Sequence, residues 1–492
     1  MKNLGRIFWG LSLALLSAYL LSLSFSSVPV GFVIFFSFVP MLIGQYCILP
    51  EKVASLSPSV AISVWLGVVL IPIFGKMSIG MAAIPLFAAV IVFFVDRGKR
   101  KFHARTGFRW LVLEGVAGWV GLEMIRSFIP AIGTWLFVGY PLWRYASILQ
   151  PLSVFGIFGL DILVMTTNYV IGLGIIYLIN FIKKSSNLSI HKLTIERILG
   201  VWVMLLFTWF GFNSALENKK VADTQKIMVA AIQPNIPKAA HRDNQLSSEG
   251  HLATLTDMTL EASRLGPELI VWPEMGLGFD PQIVHTSELT QMAQESGAYI
   301  VIGYVVEDEG EFRNEAILLT PSGEFLKPYG KAHPMIASGE PRSILAGNFP
   351  TYETALGRLG IMICFDAHFT DVARALGQQG ALIIANPALF GPGIADMTVS
   401  QVVFRAIENH TAVVMADVAY SSAIIDPYGN VIASTFTPEG TAKVLAAEIS
   451  LGTGNSFYSH FGDWPGWVSL GGMIIFYILM NLDQKRHRNS NL

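Results

Sequence analysis

Up to about Phe212 the chain is almost unbroken apolar sequence, interrupted only by short polar or basic breaks. Eight runs, roughly 6–26, 29–50, 58–75, 78–96, 110–128, 152–181, 194–213 and 466–482, approach the length of about 20 residues that carries a helix across a bilayer. The first follows Lys2 and Arg6 as a secretory leader would. It is long enough to span and further apolar runs follow at once, so a retained first helix is expected.

Beyond residue 223 the pattern changes. Short apolar runs at 227–232, 268–272, 299–304, 316–320, 359–365, 381–386 and 412–418 predict buried strands, and 423–426 predicts another before the turn signal at 427–429. Amphipathic stretches such as 252–263 and 399–409 lie between several of them. Alternation of this kind predicts sheets covered by helices. The expected organisation is a helical membrane bundle of seven spans over 1–222, an α/β domain over 223–450, and a linker, final span and basic tail over 451–492.

Composition agrees with a lipid-facing protein. Hydrophobic residues make up 52% and charged residues 14%, with mean hydropathy +0.52, whereas a soluble domain carries about a quarter charged residues. A net charge of -2 gives no electrostatic footprint for nucleic acid. With eight spans, Arg97, Lys99, Arg100, Lys101, Arg105 and Arg109 fall on the same side as Lys2 and Arg6. So do Lys183, Lys184, Lys192 and Arg197, and then Lys485, Arg486 and Arg488. The opposite loops hold chiefly Lys76, Arg126 and Arg144. The positive-inside rule therefore predicts cytoplasmic termini and an extracytoplasmic α/β domain.

Two cysteines cannot build a disulfide framework or a zinc site. Cys47 sits near the end of an apolar span and reads as packing. Cys364 ends the run Gly360-Ile-Met-Ile-Cys364-Phe-Asp366, with helix-like polar sequence after it. A thiol between strand and helix meets the positive end of the helix dipole, which favours the attacking thiolate. A buried structural cysteine is the other reading. Glu274 follows a buried strand and Pro273, at a sheet rim, where it could act as a general base or be an ordinary loop glutamate. Lys331, in Tyr329-Gly-Lys331-Ala-His333, could hold an oxyanion or simply be solvated. No spacing ties His333 to Cys364.

Together the segments say more. Trp272-Pro-Glu274, then Tyr329-x-Lys331, then Cys364, spaced by about 57 and 33 residues, resemble the nitrilase (carbon–nitrogen hydrolase) superfamily. Gln233-Pro-Asn235, Asn314, Arg405-Ala-Ile-Glu-Asn409 and Asp426-Pro-Tyr-Gly429 match as well. The membrane part resembles one branch, the bacterial apolipoprotein N-acyltransferases. The matching residues are Trp119, Glu123, Arg126 and Ser127, Gly139-Tyr-Pro141, Gln150-Pro151, Phe155-Gly156 through Asn168, Tyr458 and Gly462-Asp463. Glu123 and Arg126, three apart on one helix face, could also simply pair.

That resemblance implies an αββα sandwich beside the bundle and a catalytic Glu274, Lys331 and Cys364. It implies supporting or substrate-binding roles for Glu340, Asp366, Tyr329, Glu123 and Arg126. It further implies a phospholipid acyl donor, a lipoprotein acceptor, a thioester intermediate, no metal or soluble cofactor, and residence in the bacterial inner membrane. The chain is expected to act as a monomer. Departures from the family surround the acyl pocket. Pro334-Met-Ile-Ala-Ser-Gly-Glu340 is one residue longer than the family's run, Asp366 replaces a glutamate, Leu389-Phe-Gly391 a Trp-Phe-Gly loop, and Asp417-Val-Ala419 an Asn-Thr-Gly stretch. A membrane-tethered amidase or nitrilase, acting on a small amide or acylating a different amine, is the alternative enzyme. A non-catalytic lipid- or protein-binding homologue is the alternative outside enzymes.

Overall fold

The computed structural model describes residues 2–74, 79–183, 190–217, 225–236, 248–308, 311–437 and 439–489. Lys76, Lys184 and the expected boundary at 222/223 lie outside the described residues. The apolar runs fold as helices: α1 (Lys2–Ser24), α2 (Val39–Ile43), α3 (Leu56–Phe74), α4 (Ile79–Arg105), α5 (Leu111–Ser127), α6 (Leu152–Ile182) and α7 (Lys192–Glu217).

The second run is not the continuous helix its hydropathy predicts. It breaks into a 3-10 turn (Gly31–Phe35), α2 and a wide turn (Gly44–Ile48), with Pro40 in the first turn of α2. Proline has no N–H to continue a ladder from the preceding turn. The main-chain groups freed by the break are met from α6. Asn168 Nδ2 donates to Ile34 O at 2.8 Å, and Phe38 N–H donates to Asn168 Oδ1 at 2.9 Å. Unwound backbone at membrane depth persists only with such partners.

In the α/β domain, twelve strands form two six-stranded sheets. The first sheet has the order β12 (Lys443–Ser450), β1 (Lys226–Gln233), β2 (Leu269–Val271), β3 (Tyr299–Asp308), β4 (Glu311–Leu319) and β5 (Tyr329–Gly330). The second has the order β11 (Val431–Ser434), β10 (Ala423–Ile425), β9 (Ala412–Asp417), β8 (Ile383–Ala388), β7 (Gly357–Ile361) and β6 (Thr351–Thr354). In each, the three central strands run parallel and the flanking strands antiparallel.

Strict alternation decides which face meets what. Val229 and Ala231, Leu269 and Val271, Val301, and Ala316 and Leu318 face the second sheet and join the large core. Ala230 and Ile232, Ile270 and Trp272, Ile300 and Ile302, and Ile317 and Leu319 face outward. There α8 (Ser248–Ser263) and α9 (Thr286–Ser296) cover them. On the far side α10 (Asp371–Gln378) and α11 (Ala395–Asn409) cover the second sheet, and α11 rests against α6. The fold is thus a helical bundle joined to a two-sheet α/β sandwich. One buried apolar cluster runs from Ala14 in α1 to Val229 in β1.

The chain closes with α12 (Phe457–Phe461) and α13 (Trp464–Asn489), which packs along α5. Six described stretches are long and apolar enough to cross a membrane: Asn3–Ser24, Gly31–Ile48, Glu51–Leu70, Leu152–Ile182, Lys192–Glu217 and Trp464–His487. The other two expected spans coincide with α4 and α5. With 17 residues, α5 rises about 26 Å at 1.5 Å per residue, short of a hydrocarbon core of about 30 Å.

Polar contacts also cross the joint between bundle and sandwich. Near its start α6 turns sharply at Gly156 (φ 59, ψ -174). The next N–H, of Ile157, donates to Glu408 Oε1 at 2.9 Å, while Glu408 pairs with Arg405 at 2.9 Å. A Cβ on Gly156 would lie 2.4 Å from the Tyr458 ring, in a backbone region essentially reserved for glycine. Gly156→Ala should therefore cost about 1–3 kcal/mol and lower the melting temperature in detergent by several degrees. An unchanged melting curve would show that the kink relaxes freely.

Candidate active site

Lys331 follows β5 and is 2% exposed. Its ammonium donates to Glu274 Oε1 and to Glu340 Oε2, both at 2.8 Å. Asn314, on β4, bridges the same two carboxylates, 2.8 Å from Glu274 Oε1 and 2.7 Å from Glu340 Oε1. Met335 N–H adds a bond to Glu340 Oε2 at 2.8 Å. Burial pulls the lysine pKa down, but Glu274, the thiol and Glu340 outweigh it and hold the pKa above the ordinary lysine value. Lys331 therefore stays charged. An ammonium has three protons to donate, and two are engaged by carboxylates.

Cys364 sits opposite this group. The strand expected to carry it stops at Ile361, and Cys364 instead opens a five-residue 3-10 turn, at φ 49. No long helix begins there, so the expected helix dipole is replaced by a single tight turn. Cys364 N–H donates to Asn386 Oδ1 at 3.0 Å, which anchors the strained residue to β8. The thiol donates to Leu389 O at 3.8 Å, and Glu274 lies near enough to act on it electrostatically. Burial pushes the thiol pKa well up and Glu274 adds to this, while Lys331 acts against them. The resting group is a thiol, and its ionisation needs a base. Glu274 is that neighbour.

Asp366 fastens the lysine strand to the cysteine turn. One oxygen accepts from Tyr329 OH at 2.7 Å and Ile363 N–H at 2.8 Å. The other accepts from Ala332 N–H at 3.2 Å and His333 N–H at 2.9 Å. His333 itself turns away from the thiol. Its ring stacks on Phe369 with centroids 3.8 Å apart and bonds Asp371 at 2.9 Å. Asp417, where the sequence departs from the family, gathers four main-chain N–H groups, of Phe390, Ala419, Tyr420 and Ser421. It pins the 389–391 loop, whose Leu389 O lies beside the thiol.

Glu274, Lys331, Cys364, Glu340, Asp366 and Tyr329 thus converge on one buried site. Glu123 and Arg126 lie apart on α5. Glu123 accepts from Trp119 Nε1 at 2.9 Å, and Arg126 donates to Trp135 O at 2.6 Å and covers the Phe137 ring. Their link to the site is indirect, since the Trp135 ring meets Phe365 and His368. Asn314 and Asn386 were not among the expected site residues. The available signal for Asn386 was a lone amide inside an otherwise apolar strand, whereas Asn314 sits between Arg313 and Glu315. Among the described residues, no group of three or more His, Cys, Asp or Glu could hold a metal ion.

The family model of carbon–nitrogen hydrolases (Carbon-nitrogen hydrolase) matches residues 228–458. A nitrilase from Pyrococcus abyssi is 30% identical over 209 residues, 39% of this chain and 74% of that protein. The chain belongs to the carbon–nitrogen hydrolase family. Its homology continues through the membrane part: an apolipoprotein N-acyltransferase from Geobacter metallireducens is 28% identical over 94% of both chains. An amidase structure from Nesterenkonia sp. AN1 aligns at 20% identity and TM-score 0.39, covering 48% of this chain and 93% of that one. This carbon–nitrogen hydrolase is an enzyme with a multi-pass helical region, as its sequence implies.

Burial lifts the Asp366 pKa from 3.8 to about 6, against His333 and its hydrogen bonds. The folded state then holds this proton more tightly than the unfolded chain. By linkage, that contribution to stability is full below about pH 4 and is lost as pH rises through 6. Turnover runs the other way, because only the carboxylate can accept all four donors. Turnover should fall as pH drops below about 6. Asp366→Asn should cut turnover about tenfold or more at neutral pH and flatten that acid limb. An acid limb unchanged in the variant would assign it to another group.

Proposed function

We propose that the protein transfers an acyl chain from a phospholipid to the N-terminal amine of a diacylglyceryl-cysteine lipoprotein, through a thioester on Cys364. The observation that carries this reading is the buried Lys331 ammonium, with two protons engaged by carboxylates and the third available on the side of the buried Cys364 thiol that Glu274 and Lys331 both influence. Full-length similarity to a protein named apolipoprotein N-acyltransferase supports the lipid substrates. So does the seating of the sandwich's helix layer on the membrane bundle.

Glu274 takes the thiol proton and the sulfur attacks the ester carbonyl carbon. Lys331 and the main-chain N–H of Phe365, in the first turn after Ile363, receive the oxyanion. The ester C–O bond breaks, and Glu274 returns the proton to the departing glycerol oxygen, releasing a lysophospholipid. The amine then attacks the thioester carbonyl and Glu274 takes its proton. The C–S bond breaks and the thiol is restored. Glu340 and Asn314 hold Lys331 and Glu274 in register, and Asp366 and Tyr329 hold the Lys331 strand against the cysteine turn. Glu123 and Arg126 brace Trp135 from the bundle. The reading needs no metal or soluble cofactor and is that of a monomer in the bacterial inner membrane, with both termini cytoplasmic and the sandwich outside.

Two measurements test it. With phospholipid alone, the enzyme should release about one lysophospholipid per molecule and then stall until an amine arrives, as a ping-pong thioester enzyme does. Cys364→Ser should abolish the burst, Glu274→Gln and Lys331→Ala should reduce it about a hundredfold or more, and Cys47→Ser should stay within about twofold. Steady release of free fatty acid without an amine would make it a hydrolase. For orientation, a thiol reagent that cannot cross membranes should label Ser322→Cys in intact cells and miss Lys192→Cys, both in a Cys47→Ser background. Reversed labelling would reject the topology.

A further inference from the structure

His368 stands four residues beyond the nucleophile and has no part in the steps above. Its main chain is fixed from the membrane side. Thr134 donates both its N–H, at 2.9 Å, and its hydroxyl, at 2.8 Å, to His368 O. Gly133, at φ 54, runs so close that a Cβ there would sit 2.6 Å from the same oxygen. Arg405 holds the next carbonyl, Phe369 O, at 3.2 Å. The ring is enclosed by Phe365, Trp135 and Phe390, with centroids 4.5, 5.5 and 6.0 Å away. It is fully buried, yet neither Nδ1 nor Nε2 has a hydrogen-bond partner among the described residues. Burial first, then the charges of Lys331 and Arg405, keep this imidazole neutral.

A neutral imidazole offers one N–H donor and one acceptor nitrogen. Buried polar groups of this kind are ordinarily partnered, so an unpartnered ring on a braced backbone is organised for a ligand. The two flanking cations disfavour a positively charged ligand, and the three aromatic rings favour a lipid part. The ligand group is therefore a neutral acceptor embedded in apolar surroundings. On the acyl-transfer reading, Lys331 claims the reacting carbonyl. In a diacyl phospholipid the neighbouring group of the required chemistry is the other ester, on the adjacent glycerol carbon.

We propose that His368 is a specificity-determining residue that donates a hydrogen bond to the carbonyl of the donor's second, non-reacting ester. This deepens the acyl-transfer reading and rests on it. The bond distinguishes a diacyl donor from one whose second chain is ether-linked, because the ether lacks the carbonyl. It also gives the site a reason to prefer two-chain lipids beyond their apolar area. A site built around a hydrogen bond discriminates against analogues that leave its polar group unpaired.

The test uses full-length Cys364→Ala protein in detergent, which binds without turning over. Its dissociation constants are measured for a 1,2-diacyl phospholipid and for the matching 1-acyl-2-alkyl ether. The diester should bind about tenfold more tightly. Adding His368→Phe should bring the two within about twofold, and His368→Gln, which keeps a neutral N–H donor, should retain part of the preference. No ester preference in the parent overturns the proposal, as does a preference that survives His368→Phe. The parent ratio needs no change at His368, so it decides even if the phenylalanine variant misfolds. Failure of acyl transfer itself would be read separately, as the absence of an acyl adduct on wild-type enzyme by intact mass.

Discussion

Everything at the site depends on one buried ammonium held between two carboxylates. Lys331, Glu274 and Glu340 carry a net charge of about -1 if all are ionised, in a place that water barely reaches. Burying an ion pair is favourable only when every remaining donor and acceptor is matched, and Asn314 supplies the missing links by bonding one oxygen of each carboxylate. Burial is the first cause of the thiol's state, and the neighbouring carboxylate adds to it. A second anion on Cys364 would face Glu274 directly, so the proton stays on sulfur at rest. The surplus negative charge keeps Lys331 charged.

The ammonium is useful only if its short strand and the cysteine turn keep a fixed distance. Asp366 provides this through four donors, three from the lysine segment and one, Ile363 N–H, from its own turn. The cysteine turn is in turn tied to the membrane part through Thr134 and to the far helix layer through Arg405. Bundle and sandwich are thus linked by hydrogen bonds to the main chain close to the thiol.

Much of this was legible in the sequence, because buried parallel strands are short apolar runs and the chemistry sits at their ends. Each of the eight predicted strands exists. The strands missed, β5, β6, β11 and β12, are edge or near-edge elements. β5 has two residues, β6 reads Thr-Tyr-Glu-Thr, and β12 carries the exposed charges Lys443 and Glu448, one on each face. An edge strand with one wet side leaves little hydropathic signal. Glu340 and Asn314 stood out in the sequence through the resemblance alone, since the loops and strands that bring them to Lys331 and Glu274 meet only through tertiary pairing. The dipole expected at Cys364 failed for a local reason: the chain leaves the sheet at Ile361 and turns through a left-handed residue before any long helix begins.

The broken second run has a consequence for how the protein is made. As it leaves the ribosome, residues 29–50 can enter the bilayer only as a helix satisfying its own peptide groups, because the partner for its unwound form, Asn168, lies more than a hundred residues downstream. The broken form at 31–35 and α2 therefore depends on α6, and its main-chain groups find these partners only once Asn168 has been made.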